Sequence, residues 1–484
     1  MTPDADTTSQ TSQTDQGESA RSDADVWPLA RVAATDAVTS RLDLPHPSQP
    51  AHAPLQQATA RGREQAIDTL QGAFPSLPIR RSTQATDATT LTVGHALPSL
   101  LHAIDGEGLL ADLFPSHTIR PGLHLKLVRD KHHRDLGDVV VTNPDAYPGG
   151  HHRARPAMVA AALDEGYTVV LDGVEMRSPV SMQLAALFER AFGCVINING
   201  YLSSRRHTSF GAHWDDQEVV ILQLLGRKDW IIQTPAALSM NKAAHGDQVS
   251  DNVAWQGRIG PGDAMYVPRG WGHIVNGIDE LTFHYTITIP RVNGLRVLES
   301  VLHEVTTTRA TDRSELEGRP LPLVADATAA AVDLFDVDPA ETDRLVRRAV
   351  ARNRFGVPRR PVGSLRGALA ALTAPDLTGM AVMCPCPGGW TVVDPSHPGP
   401  GGPGGPGGEF SPLDDELDLT DAVVAGMAGQ LVRIPHEHAA AVGALTDGLV
   451  HDAGAHDPTI VRALLRLGLL DVPADHHLWG LTPA

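Results

Sequence analysis

The chain is short of several things that would define it at once. Three cysteines in 484 residues, Cys194, Cys384 and Cys386, are too few for a disulfide framework or a four-cysteine zinc site. A reducing, cytoplasmic setting is expected. No run approaches the roughly 18 uninterrupted apolar residues of a membrane span, and residues 1–25 are acidic and polar with no apolar signal core. Membrane insertion and secretion are therefore not expected. Positive charge is also scarce, since 39 Lys and Arg face 57 Asp and Glu for a net charge of -18. Phosphate contacts need clustered cations, so a nucleic acid or an anionic membrane is a poor partner and a basic one a better partner. Lysine is the rarest cation, present only at Lys126, Lys131, Lys228 and Lys242.

What is present suffices for a soluble globular protein of two or three domains, with 42% hydrophobic residues against 20% charged. Residues 1–90 are rich in Ala, Ser, Thr, Gln, Asp and Pro, and are expected to form a mostly disordered tail with a helix around Gln56–Gln71. Residues 91–290 open with an amphipathic helix near Leu97–Phe114 and a strand at Leu123–Arg129. They continue, from Ala157 on, as short strands with one helix, Ser181–Phe192. The paired histidines 132–133 and 151–152 read as solvated loop residues. Residues 291–355 read as helical, with helices at 294–309 and 339–353. Residues 356–484 contain a Pro/Gly tract at 395–408, which holds neither helix nor strand, and a helix-like run from Pro458 to Leu470. A winged-helix-like module suits that segment, although residues 411–484 carry 11 acidic residues against 3 Arg, a net of -8 that would repel DNA.

The chemistry concentrates in two stretches. In FGAHWDDQEVVILQLLGRKDW, a strand would turn His213 and Asp215 to one side and Trp214 to the other. Sixty residues later, GPGDAMYVPRGWGHIVNG runs strand, turn and strand, with His273 opening the second strand. Two histidines and a carboxylate occupy one face of an octahedral ion and leave three positions open, which suits non-haem Fe(II) chemistry. A His-x-Asp pair alone says little in a chain of 23 histidines. Further features add to it. Lys228 lies fifteen residues after His213 and shares a strand face with Trp230 and Ile232, and a cation on an inward apolar face needs an anion. Lysine fills 4 of 484 positions, about 1%, so its presence at that offset is informative. VININGYL places Asn197, Asn199 and Tyr201 on one face, and LTFHYTITI places Thr282, His284, Thr286 and Thr288 on one face. Each polar face either meets water, as in a half-exposed antiparallel sheet, or lines a pocket.

These residues resemble a known family. Asn199-Gly200-Tyr201, His213-Trp214-Asp215-Asp216, ILQLLGRKDW from Ile221 to Trp230 and PGDAMYVPRGWGH from Pro261 to His273 look like the Jumonji-C, cupin-fold Fe(II)/2-oxoglutarate oxygenases. Within these they look like the ribosomal oxygenase-like branch, which hydroxylates protein side chains. The resemblance covers about 200 residues of the 484. It implies an α+β chain with a double-stranded β-helix (cupin, jelly-roll) core and helical and winged-helix-like C-terminal modules. It also implies Fe(II) held by His213, Asp215 and His273, with 2-oxoglutarate and O₂ as cosubstrates and the distal carboxylate of 2-oxoglutarate on Lys228. Asn199, Tyr201 and Thr282 match residues near the cosubstrate. Where some members place a Thr three residues before the first ligand, this chain has Phe210. The branch has a helical dimerisation region, which residues 291–355 resemble loosely, and this implies a homodimer. The implied substrate is a protein or peptide, with a basic ribosomal-protein segment suiting the acidic surface.

Two rival functions stay open at this level. A cupin metalloenzyme acting on a small molecule without 2-oxoglutarate has no need of a buried Lys228. A non-catalytic regulatory cupin would keep the fold without turnover. Cys384 and Cys386 lack a second pair and read as structural thiols, and His436 and His438 as exposed residues.

Overall fold

The computed structural model describes residues 53–83, 90–104, 110, 124–143, 151–235, 248–290, 365–384, 390–394, 422–427 and 430–472. From the N-terminus its elements are α1 (Ala53–Ala73), α2 (Ile79–Ser82), β1 (Thr92–His95), α3 (Pro98–Ile104), β2 (Leu125–Arg129), β3 (His132–His133), β4 (Val140–Asn143) and β5 (His151–Ala154). There follow α4 (Pro156–Asp164), β6 (Thr168–Leu171), α5 (Pro179–Phe192), β7 (Asn197–Ser203), β8 (His213–Trp214), β9 (Glu218–Leu225) and β10 (Lys228–Gln233). The barrel ends with β11 (Val253–Ile259), β12 (Asp263–Val267), β13 (Gly272–Gly277) and β14 (Thr282–Ile289).

Two antiparallel sheets build the core. One has eight strands in the order β1-β12-β9-β14-β7-β6-β2-β3, and the other four in the order β11-β10-β13-β8. Sequence neighbours are spread across the two sheets, as a jelly roll requires: β9 and β10 adjoin in sequence but lie in different sheets, and so do β12 and β13. Leu91, Val219, Ile221, Trp230, Ile232 and Trp271 fill one end of the space between the sheets. On the outer face of the larger sheet, Ile198, Leu222, Phe283 and Ile287 pack with Phe188 of α5 and with Ile67 and Leu70 of α1. α5 forms where the sequence supplies its ends. Ser178 accepts a bond from Ser181 N at 3.3 Å, Pro179 opens the first turn, and Gly193 closes the helix at φ 68°.

The C-terminal part consists of α6 (Leu365–Thr373), β15 (Ala381–Met383), β16 (Thr391–Asp394), β17 (Ala422–Met427), β18 (Gln430–Pro435), α7 (Ala439–Leu445), β19 (Val450–Asp452) and α8 (Pro458–Arg466). β16, β17 and β18 form an antiparallel sheet, and β15 pairs with β19. Val382, Val432, Val442, Leu464 and Leu465 form its core. The expected helices at 294–309 and 339–353, the Pro/Gly tract 395–408 and Cys386 lie outside the described residues.

In the N-terminal segment the helix expected around Gln56–Gln71 is present as α1, but this part of the chain is not a tail. Residues 53–83 are folded: Leu55, Ala58, Ile67, Leu70, Phe74 and Ile79 are buried. A division at residue 90 does not follow the packing, because Leu55 of α1 belongs to the C-terminal core and Ile67 and Leu70 to the barrel-side core. The helix is legible in the sequence, but it cannot offset its ordering entropy alone, and the burial on both flanks comes from segments distant in the chain.

Candidate metal centre and its pocket

β8 and β13 bring the two histidines together. The strands pair as Gly272↔Trp214 and His273↔His213, and the two imidazole centroids lie 4.2 Å apart. Asp215 follows directly, with its Oδ2 3.7 Å from His273 Nε2. One potential ligand atom from each of His213, Asp215 and His273 lies within 4.8 Å of the others, and no other such group exists among the described residues. The orientation of both rings suits a metal. His213 Nδ1 lies 3.0 Å from Gly211 O, and His273 Nδ1 lies 3.4 Å from Trp271 O. A carbonyl can only accept, so both Nδ1 atoms carry the proton and both Nε2 atoms are the unprotonated nitrogens, the form that ligates an ion.

Lys228 opens β10 and is 2% exposed. Its Nζ donates to Tyr201 O at 3.2 Å and to His284 Nδ1 at 3.0 Å, so β10 of one sheet is bonded to β7 and β14 of the other. No carboxylate meets it among the described residues, and burial pushes its pKa down to about 7. His284, 3% exposed, is driven well below the usual histidine range by burial and then by Lys228. A neutral His284 that accepts at Nδ1 carries its proton on Nε2, the ring nitrogen turned away from the ammonium. The Tyr201 ring stacks on His284 at 5.0 Å and 9°. Burial, followed by the charges of Asp215 and Asp172, raises the Tyr201 phenol above its ordinary value.

The remaining residues named from the sequence are placed less uniformly. Asn199 Oδ1 accepts from Gly173 N at 3.2 Å, and its side chain also bonds Tyr201. Thr282 is fully buried, with its Oγ1 accepting from Gln223 Nε2 at 2.7 Å. Phe210 stands 5.9 Å from His213 and 6.3 Å from Tyr201 by ring centroids, adding an aromatic wall where a threonine would add a donor. The polar face of β14 is largely turned inward, with Thr282, His284 and Thr288 buried and Thr286 half-buried. His284 is the residue that sequence reasoning left without a role. Its only signal was its place on that face, because the partner it meets lies 56 positions away on the opposite sheet. Trp230 Nε1 is a further buried donor with no hydrogen-bond partner among the described residues, and its ring lies 5.4 Å from His284 and 6.2 Å from His273.

Residues 175–296 match the family model of the JmjC domain. The match takes in α5 and the strands β7 to β14. Among curated proteins, the chain is similar to the bifunctional lysine-specific demethylase and histidyl-hydroxylase NO66 of Caenorhabditis briggsae. The two are 26% identical over 194 residues, which is 38% of this chain and 25% of that protein. It is also similar to the protein of the same name from Drosophila persimilis, 29% identical over 154 residues, 30% of this chain and 21% of that protein. The chain therefore spans about a quarter of the length of these relatives. Among solved structures, the ribosomal oxygenase YcfD of Escherichia coli in complex with cobalt and 2-oxoglutarate is similar at 14% identity. It covers 81% of this chain and 98% of its own, with a TM-score of 0.45.

Proposed function

We propose that the chain is an Fe(II)- and 2-oxoglutarate-dependent oxygenase that hydroxylates a side chain of a protein substrate. The observation that carries this reading is a buried lysine without a carboxylate among the described residues, in the same barrel as two histidines and an aspartate arranged for one ion. The donor set fits. Two imidazoles and one carboxylate suit Fe(II) and leave three coordination positions open, and Lys228 suits the distal carboxylate of a dicarboxylate cosubstrate. When bound, the iron with 2-oxoglutarate and O₂ supplies the oxidising power for an unactivated C–H bond, yielding succinate and CO₂ beside the hydroxylated product.

The chain's own residues bind, orient and exclude water. The backbone carbonyls of Gly211 and Trp271 fix the ring tautomers of His213 and His273. Lys228 offers its ammonium to the carboxylate, and His284, on which Tyr201 lies flat, holds that ammonium in place by accepting from it at Nδ1. The apolar end of the barrel, with Trp230 and Trp271 buried, keeps bulk water from the reacting centre. Asn199 acts through Tyr201, and Thr282 through Gln223 and the frame of β14.

The names of the relatives point to a protein histidine or a methylated lysine as the class of target. A target within a basic segment suits the net charge of -18. A small-molecule cupin without 2-oxoglutarate leaves the burial of Lys228 without a purpose. We also propose a homodimer formed through residues 291–355, for which light scattering should give twice the 51.5 kDa of one chain; a mass of one chain counts against it.

The reading is tested by loading the protein with Fe(II) and following succinate formation from 2-oxoglutarate. Asp215→Ala should retain the melting temperature of the metal-free protein and lose metal binding and turnover together. An Asp215→Ala protein with full Mn(II) affinity and full succinate production would remove the assignment.

A further inference from the structure

The segments that carry Asp215 and His273 are tied together where backbone pairing runs out. β8 is two residues long at the edge of its sheet and meets β13 through two residue pairs. Asp215 is the first residue beyond that ladder. One backbone bond reaches it, from Gly270 N to Asp215 O at 3.0 Å. On the far side of that bond the side chains take over. Arg269 Nε donates to Asp216 Oδ1 at 2.8 Å, and Arg269 Nη2 donates to the same oxygen. Asp216 follows the acidic candidate ligand, and Arg269 sits in the turn that leads into His273.

We propose that Asp216 and Arg269 are positioning residues: their ion pair extends the β8–β13 contact by side chains and holds the Asp215 carboxylate where the metal needs it. The inference rests on the reading of His213, Asp215 and His273 as ligands. An ion pair with side chains 44% and 27% exposed adds at most about 1 kcal/mol to global stability. Its consequence is local. Asp215 lies just past the end of a two-residue ladder, and partners that orient ligands typically change metal affinity by about 10- to 100-fold.

A competing explanation has the opposite sign for one residue. If the two groups acted only through their charge, Asp216 would attract a divalent cation and Arg269 would repel it. Asp216→Ala would then weaken binding, and Arg269→Ala would strengthen it. A clamp is lost whichever half is removed, so both replacements weaken binding. The direction of Arg269→Ala therefore separates the two explanations.

The experiment titrates the full-length protein with Mn(II) alone, reading free Mn(II) by electron paramagnetic resonance, and records thermal unfolding of each metal-free variant alongside. Asp216→Ala and Arg269→Ala should each weaken Mn(II) binding by about 10- to 100-fold. The melting temperature should move by no more than about 4 °C. The exchanged pair, Asp216→Arg with Arg269→Asp, should bind more tightly than either single variant. Should Arg269→Ala fail to fold, Arg269→Gln keeps most of the side-chain stem and is judged by the same sign. Mn(II) binding by Arg269→Ala as tight as or tighter than wild type would overturn the clamp, and so would an exchanged pair no better than the single variants. A wild-type protein that binds no Mn(II) would instead remove the ligand assignment, and the clamp with it.

Discussion

An ammonium group held away from water either keeps its proton at a cost or gives it up, and Lys228 lies at the point of balance. Burial sets its pKa to about 7 against an ordinary 10.5. The sign of the consequence follows from counting protons. Between those two values the unfolded chain carries a proton that the empty folded pocket does not. The stability of the empty protein therefore rises with pH across that window, and this contribution is absent below it. A cosubstrate carboxylate demands the ammonium, so above the folded pKa its binding must take up a proton. Affinity for 2-oxoglutarate in the Mn(II)-loaded protein should be level below about pH 7 and fall by roughly tenfold per pH unit above it. Titrations across that range check this, and a level profile in wild type would contradict it. Lys228→Ala should lose the slope together with about 3–5 kcal/mol of cosubstrate binding, roughly two to four decades, while Mn(II) affinity stays near wild type. Lys228→Arg should be milder, keeping the charge in a larger group.

Strands were the most legible elements, and their pairing the least. The two-residue period of VININGYL and LTFHYTITI sorts each strand into faces without a structure, and β7 and β14 carry those faces as drawn. Which face meets water is a tertiary fact. The inner face of β14 is covered because the four-stranded sheet lies over it, so a pattern that reads as half-exposed ends up buried on both sides. The same limit hid His284. Its meeting with Lys228 needs the placement of β10 and β14 in opposing sheets, and no local signal carries that. The spacing of His213, Asp215 and His273 was legible because a strand fixes direction for residues two apart and because the motif around them is long. The Asp216–Arg269 pair was visible only as two charged residues, since its meaning depends on β8 ending after Trp214.

At the scale of the molecule, α1 is an element whose helicity the sequence shows and whose burial it conceals. Its first turns lie against α7: Leu55 joins the C-terminal core, Thr59 Oγ1 reaches Trp390 O at 3.3 Å, and the Cα of Gly443 faces Pro54 so closely that an added Cβ would lie 2.8 Å from Pro54 O. Its later turns lie against α5, with Ile67 and Leu70 in the barrel-side core and Arg63 donating to Ala191 O at 3.1 Å and to Thr83 O at 2.9 Å. A continuous helix of 21 residues set into two cores transmits the loss of one to the other, because unfolding either core strips half the helix of its burial. Leu55→Ala and Ile67→Ala should therefore both lower one shared unfolding transition, each by about 2–5 kcal/mol at full burial. Calorimetry of the metal-free protein checks this. Two separate transitions, with Leu55→Ala moving one and Ile67→Ala the other, would show that α1 does not couple the cores. Because the candidate metal centre lies on β8 and β13, away from α1, Leu55→Ala should leave Mn(II) affinity at 25 °C unchanged within about twofold while the melting temperature falls.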